Sequence, residues 1–308
     1  MKLISENLHI ISKEIKEAIL IRDEKFIRNI LQKQIATAPD WIDLNIGPAK
    51  KNFAGTMKWL MDIVNSMTDI PVSFDSSNHL EIEDGLKLAK NPQNCLINSA
   101  SADPEKLEIF TNIAKEYNAN LIALTLNNEI GIPKSADGRI ELAFSIIDKT
   151  TEKGIDNSKI FFDPLILPIG VEQSQSLEAL NTIRMFKESF DPPVNTTIGL
   201  SNVSNGCPKE LRPLINQTFF ILAAGCGLDS AIVDSFDSEL CEINKIIETQ
   251  NAQNSYENLV IELFMMMQNF SDLEEIKYDK SNPQEVRLIK TAEILLNKKI
   301  YSHSYLEI

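Results

Sequence analysis

The sequence predicts an α/β protein of the (β/α)8 TIM-barrel class, on three observations. Eight short apolar runs alternate with amphipathic stretches at near-regular spacing. Several of these runs are apolar without alternation, as strands covered on both faces are. Neither G-x-G-x-x-G nor a P-loop follows the first run, where an open doubly wound sheet would usually carry its phosphate turn. At 308 residues the chain has the length of one such barrel, and it reads as a single domain over 1–308.

The elements follow in order. Leu3 to Ser5 is a short apolar piece, and helical patterning runs from about Ser12 to Ile35. Trp41 to Pro48 reads as a strand with a Gly-Pro stop, and the next helix places Met57, Leu60, Met61 and Val64 on one face. A strand to Asp75 precedes a helix near Ile82 to Lys90, and a strand to Asn98 precedes one near Asp103 to Asn118. Asn120 to Leu126 pairs with a helix over Arg139 to Gly154, and Ser158 to Asp163 with one over Glu172 to Ser189. Thr196 to Ser201 is followed by a helix over Lys209 to Gly225, and Ser230 to Asp234 makes the eighth strand. After Glu239 the rhythm breaks: a polar stretch to Asn254, an apolar segment from Leu259 to Phe270, then an acidic loop from Ser271 to Pro283. The run Met265-Met266-Met267 reads as core filler. A closing amphipathic helix is expected at about 286–298.

Composition excludes several functions. Forty-four acidic against thirty basic residues give a net charge of −14, which argues against a basic stripe over phosphates and hence against nucleic acid. The four cysteines show no Cys-x-x-Cys spacing and the three histidines no cluster, so no zinc or iron–sulfur site of the chain's own is expected. The start carries no long apolar stretch, and the longest apolar run, Phe219 to Leu228, is too short to span a bilayer. A soluble cytoplasmic protein with reduced thiols, without membrane association, is the expectation.

Four of the apolar runs end on a carboxylate or carboxamide: Asp75, Asn98, Asp163 and Asn202. Repeated strand–helix units bring strand ends to one rim, where barrel enzymes place their chemistry. Carboxylates accept hydrogen bonds and carboxamides both donate and accept, which suits a flat heterocycle with ring N–H, amino and carbonyl groups. A hard cation is a rival, although two carboxylates on different strands without histidine make an indifferent transition-metal site. Paired carboxylates for glycoside hydrolysis are another, yet only Trp41 and Trp59 exist to stack on sugars. Each residue taken singly also fits a plain helix or turn cap.

The residues around these positions resemble a known family. Asp43-Leu44-Asn45-Ile46-Gly47-Pro48, Phe74-Asp75-Ser76-Ser77-Asn78, Ile97-Asn98-Ser99, Asp163-Pro164-Leu165-Ile166-Leu167-Pro168 and Gly199-Leu200-Ser201-Asn202-Val203-Ser204 are similar to the pterin-binding methyltransferases. The narrower likeness is to methyltetrahydrofolate:corrinoid/iron–sulfur protein methyltransferases of the reductive acetyl-CoA pathway. Arg212 to Asn216 and Thr291 to Asn297 extend it nearly to the C-terminus.

The resemblance implies a homodimeric, dihydropteroate-synthase-like barrel that binds the pterin of 5-methyltetrahydrofolate in its mouth. It implies transfer of the N5 methyl group to cobalt(I) of a cobalamin-type corrinoid carried by a partner protein, the corrinoid/iron–sulfur protein or a related one. Asp163 matches the carboxylate that takes the pterin amino group and N3–H, with Asn98 and Asp75 elsewhere on the ring edge. Asn202 matches the residue closest to N5. A tertiary amine is a poor leaving group, so a donor moving onto N5 favours the transition state. Asn202 has no pKa with which to act as an acid, so the proton comes through water or from Asp75. Lys50, Lys51 or Arg212 would meet the glutamate tail. Two features depart from the pattern: the first strand reads Glu6-Asn7-Leu8-His9 where the family has Glu-Arg-x-Asn, and the segment at about 250–285 aligns with nothing. His9 replaces a polar contact or marks the start of a helix; the extra segment is a lid, a dimer element or a docking surface. The alternatives are a non-catalytic folate-binding or assembly subunit, and dihydropteroate synthase, for which the late basic residues are lacking.

Overall fold

Eight strands form one sheet: β1 (Lys2–His9), β2 (Trp41–Gly47), β3 (Val72–Ser76), β4 (Leu96–Ser101), β5 (Asn120–Leu124), β6 (Ile160–Asp163), β7 (Asn195–Thr196) and β8 (Ser230–Val233). Their order is β7-β6-β5-β4-β3-β2-β1-β8, and every ladder is parallel. The computed structural model describes residues 1–49 and 53–307. The sheet closes nearly completely: the backbone N–H of Ile232 donates to Ile198 O at 2.8 Å, and Gly199 and Ile232 form a parallel bridge. Asp229 staples this seam, accepting from Thr196 N at 2.8 Å and from Lys187 Nζ at 2.9 Å. The structure is thus the barrel that the strand–helix rhythm predicts.

Helices α1 (Lys13–Leu20) to α8 (Arg212–Gly225) surround the strands, with α2 at Glu24–Ala36, α3 at Thr56–Met67, α4 at His79–Leu88, α5 at Pro104–Tyr117, α6 at Ala136–Glu152 and α7 at Ser174–Ser189. Short polar residues start several of them. The side chains of Asp23, Asn78 and Ser135 accept from backbone N–H groups of the first turns of α2, α4 and α6, satisfying donors that a helix leaves unpaired. Glu81 on α4 does the same for a neighbour, accepting from Gly55 N at 2.6 Å and Met57 N at 2.8 Å at the start of α3. No helix among the described residues is long and apolar enough to cross a membrane.

Alternate residues of each strand point into the barrel. The inner plug is apolar: Ile4, Trp41, Leu96, Ile122 and Phe161, with Ile232 packed against them. Trp41 meets Phe161 edge-on at 6.1 Å and donates its indole N–H to Asn94 O at 2.7 Å. Trp59 lies beneath the guanidinium of Arg22. Both tryptophans are thereby committed to packing.

Four segments differ from the sequence expectation. The helical stretch from Ser12 to Ile35 is two helices, because Arg22 adopts a left-handed φ of 56° and Asp23 caps a new start. Strand β1 reaches His9 rather than Ser5, since β2 and β8 pair with it on both sides, with a register shift between Ser5 and Leu8. Strand β7 stops at Thr196, and the chain beyond it turns into a 3-10 helix at Leu200–Ser204. The tail forms three helices, α9 (Ser238–Thr249), α10 (Ser255–Gln268) and α11 (Pro283–Leu295), the last three residues earlier than expected.

The unaligned segment is therefore built onto the barrel wall. Met266 and Met267 are buried, while Met265 stays 44% exposed. Helices α8 and α10 touch at Gly225, where an added Cβ would lie 2.3 Å from the carbonyl oxygen of Phe264. Backbone cannot yield there as a side-chain tip would. Gly225→Ala is expected to lower stability by about 1–3 kcal/mol despite the better helix propensity of alanine. Urea unfolding measures it, and an unchanged midpoint would show that α10 does not rest on α8.

Candidate functional site at the strand ends

Two residues beyond the apolar plug, on the same inward faces, the side chains become polar. Ile4 is followed by Glu6, Trp41 by Asp43, Leu96 by Asn98, Phe161 by Asp163 and Ile232 by Asp234, while Ser73 leads to Asp75. Five carboxylates thus gather at the C-terminal rim. None forms an ion pair among the described residues.

Neutral donors hold this layer. Asp43 is fully enclosed and accepts from Ser73 Oγ at 2.6 Å and from Asn98 Nδ2 at 3.3 Å. Asn45 donates its amide to Asp75, and Asn45, Asp75 and Asn98 stand abreast across β2, β3 and β4. Asp163 accepts from Leu165 N at 2.7 Å. That bond holds Leu165 at a left-handed φ of 65°, a strained conformation for a branched residue, just after Asp163-Pro164.

Burial raises the carboxyl pKa values. Asp163 is pushed up to about 6 by desolvation, against the backbone N–H of Leu165 and the field of Arg139. Arg139 itself is fully buried, tied through Nε to Pro133 O and through a terminal nitrogen to Gln175. Asp43 is likewise pushed up to about 6. Asp75 is raised well above the ordinary range, by burial and then by the charge of Asp43.

Asn202 occupies a different station. It lies on the 3-10 turn after β7, exposed, and its carboxamide has no hydrogen-bond partner among the described residues. A Cβ on Gly199 would come within 2.8 Å of its Nδ2, so glycine there leaves the amide its place. A cavity of about 830 Å³ opens beside it, lined among others by Glu6, His9, Ser201, Lys209, Arg212 and Asp234. That volume suits a ligand of coenzyme size.

Of the residues singled out from sequence, Asp75, Asn98 and Asp163 share the polar layer, and Asn202 stands apart at the cavity. Arg212 lines the cavity, its Nε donating to Cys207 O at 2.9 Å. Lys50 and Lys51 lie outside the described residues. His9 ends β1 and lines the cavity with its Nδ1 buried and unpartnered; Ser12, not His9, precedes α1. Sequence reasoning passed over Glu6, Asp43 and Asn45 as site groups. The signal for them was an acidic residue two places after an inward apolar one, the spacing that marks one face of a strand.

Fold and site together define a parallel barrel with a carboxylate-rich layer at its C-terminal mouth. Comparison with known proteins makes this specific. A family profile described as pterin binding enzyme matches residues 15–234. The chain is 30% identical over 236 residues to the methylcorrinoid:tetrahydrofolate methyltransferase of Eubacterium limosum, covering 76% of this chain and 85% of that one. It is also 30% identical over 249 residues to methionine synthase of Mycobacterium leprae, but spans only 20% of that longer protein. Among solved structures, 7,8-dihydropteroate synthase from Vibrio fischeri ES114 superposes with a TM-score of 0.58 over 82% of this chain and 94% of its own. At 14% identity, that likeness concerns the fold alone. The chain belongs to the pterin-binding enzymes, on the methyltransferase side of that family.

The polar layer has a stability consequence. Below its unfolded pKa, Asp43 is protonated in both states and pH has no hold on it. Between there and about 6 the folded state binds the extra proton, so stability falls as pH rises and then levels. Asp43→Asn removes that loss. It should gain on the wild type by about 1–3 kcal/mol between roughly pH 4 and pH 8, read from denaturation at each pH. A difference that does not vary with pH would contradict the buried-charge account.

Proposed function

We propose that the protein moves a methyl group between N5 of tetrahydrofolate and the cobalt of a corrinoid presented by a partner protein. The observation that carries this reading is a layer of carboxylates that form no ion pair among the described residues, with the free carboxamide of Asn202 at the adjoining cavity. The Eubacterium limosum relative is named for transfer from methylcorrinoid to tetrahydrofolate, the reverse of the direction expected from sequence. Both directions pass through one transition state, so one set of groups serves either.

A pterin offers what the layer lacks. Its amino group and N3–H are two adjacent donors, and the Asp163 carboxylate can accept both without a counter-cation. Asn98 and Asp75 meet other edges of the ring. Arg212, fixed at the cavity wall by Cys207, is placed for the glutamate carboxylates. Ile11 and Phe236, 84% and 43% exposed at the rim, offer apolar surface to an incoming corrin ring.

At N5 the chemistry is a displacement. Methyl leaves a tertiary amine only if that nitrogen carries a proton by the time the carbon–nitrogen bond is broken. Asn202 donates a hydrogen bond that strengthens as N5 gains the electron pair, which favours the transition state over the ground state. Cobalt(I) brings its own nucleophilicity, so no activated serine or cysteine is called for.

Two substitutions separate grip from chemistry. Asn202→Ala should slow methyl transfer to cob(I)alamin by roughly a hundredfold, with the dissociation constant for 5-methyltetrahydrofolate little changed. Equal losses in both would remove Asn202 from the reacting bond. Asp163→Ala should weaken 5-methyltetrahydrofolate binding by roughly 1–3 kcal/mol in calorimetry. Unchanged affinity would mean that the layer is not the pterin grip.

A further inference from the structure

The transfer reading leaves the proton at N5 without an owner, and the geometry distinguishes the five carboxylates. Asp43, Asp75 and Asp163 are each engaged by neutral donors, and none of them lines the cavity beside Asn202. Asp234 does line it, but stands exposed and accepts from Asn7 Nδ2 and from Phe236 N at 2.9 Å. Glu6 lines the same cavity from the inner wall of β1. The partner of its side chain is Ser201, whose Oγ donates to Oε2 at 3.3 Å. Ser201 directly precedes Asn202, so this bond ties Glu6 to the turn that carries the carboxamide. Glutamate also has one more methylene than the aspartates and reaches further from its strand.

We propose that Glu6, held by Ser201, is the group that exchanges a proton with N5. The inference rests on the methyl-transfer reading above. In the direction from folate, the carboxyl proton of Glu6 passes to N5 as the N5–methyl bond breaks, and the methyl carbon takes the electron pair of cobalt(I). In the opposite direction the N5 lone pair takes the methyl carbon, and the cobalt–carbon pair returns to cobalt. The resulting N5 ammonium then gives its proton to the Glu6 carboxylate.

The surroundings suit both halves. Burial, then the charges of Asp43 and Asp234, push the Glu6 carboxyl up to about 7, against the Ser201 hydroxyl. An acid–base group with a pKa near the working pH is effective in either direction. The charged and titratable groups around it are Asp43 from β2, Asp75 from β3, Asp234 beyond β8 and His9 on its own strand. Lys209 and Arg212 line the cavity from the approach to α8 and its first turn, and Asp237 and Glu239 line it from the start of α9.

The test follows the pH profile of transfer from 5-methyltetrahydrofolate to free cob(I)alamin, with 5-methyltetrahydrofolate affinity measured by calorimetry in parallel. Wild-type transfer should fall about tenfold per pH unit above about 7. Glu6→Gln should lose that inflection and slow by roughly a hundredfold, with affinity retained. Glu6→Asp should keep an inflection at a reduced rate, and Asp75→Asn should keep one whatever its rate. An inflection at wild-type rate in Glu6→Gln overturns the proposal, as does its loss in Asp75→Asn. If Glu6→Gln does not fold, a wild-type rate in Glu6→Asp overturns it. Wild-type protein that forms no methylcobalamin at any pH refutes the transfer reading and this inference together. An active wild type with an unaltered Glu6→Gln profile refutes this inference alone.

Discussion

Five carboxylates gathered at one barrel rim, none of them ion-paired among the described residues, are the constraint on which the site depends. Each buried charge among them, Glu6, Asp43, Asp75 and Asp163, costs free energy that hydroxyl and amide donors offset only in part. The protein meets this cost with protons and with neutral donors, as Asp43 does through Ser73 and Asn98. A ligand that presents N–H groups along its edge relieves the same cost more completely. The layer therefore favours a donor-rich heterocycle and stays poised between protonation states, which is useful where a proton must accompany methyl transfer.

The second requirement is that one polar group escape this layer. Strand β7 contributes only Asn195 and Thr196, after which the chain leaves the sheet and folds into the turn that holds Asn202. So short a strand meets β8 through the backbone bond from Ile232 N to Ile198 O, and Asp229 reinforces that seam by gathering Thr196 and Lys187. Beyond that seam the backbone turns away from the sheet and carries a carboxamide that no described neighbour holds. Gly199 completes the arrangement by leaving room for the amide itself.

Much of this was legible in the sequence. The eight-fold rhythm named the barrel, and apolar runs ending in Asp75, Asn98 and Asp163 named half of the polar layer. Asn202 could be placed near the site, but not on a turn outside the sheet, because Ile198-Gly199-Leu200 continues an apolar strand pattern. Glu6 and Asp43 were obscured for another reason. Asp43 lies between Ile42 and Leu44, so period-two alternation is masked where both faces are buried, and Glu6 lies between Ser5 and Asn7 at the register shift of β1, where alternation breaks. The break at Arg22 and the packing of α10 on α8 likewise depend on tertiary contacts that local pattern does not encode.

The central claim is that this floor presents the N5 methyl of a folate to a corrinoid. It is tested most directly by incubating the protein with 5-methyltetrahydrofolate and free cob(I)alamin, and separately with tetrahydrofolate and methylcobalamin, following the cobalt oxidation state by absorbance. The account predicts protein-dependent interconversion in both mixtures, approaching the same equilibrium. Tight 5-methyltetrahydrofolate binding with no interconversion above the protein-free rate in either mixture would contradict it.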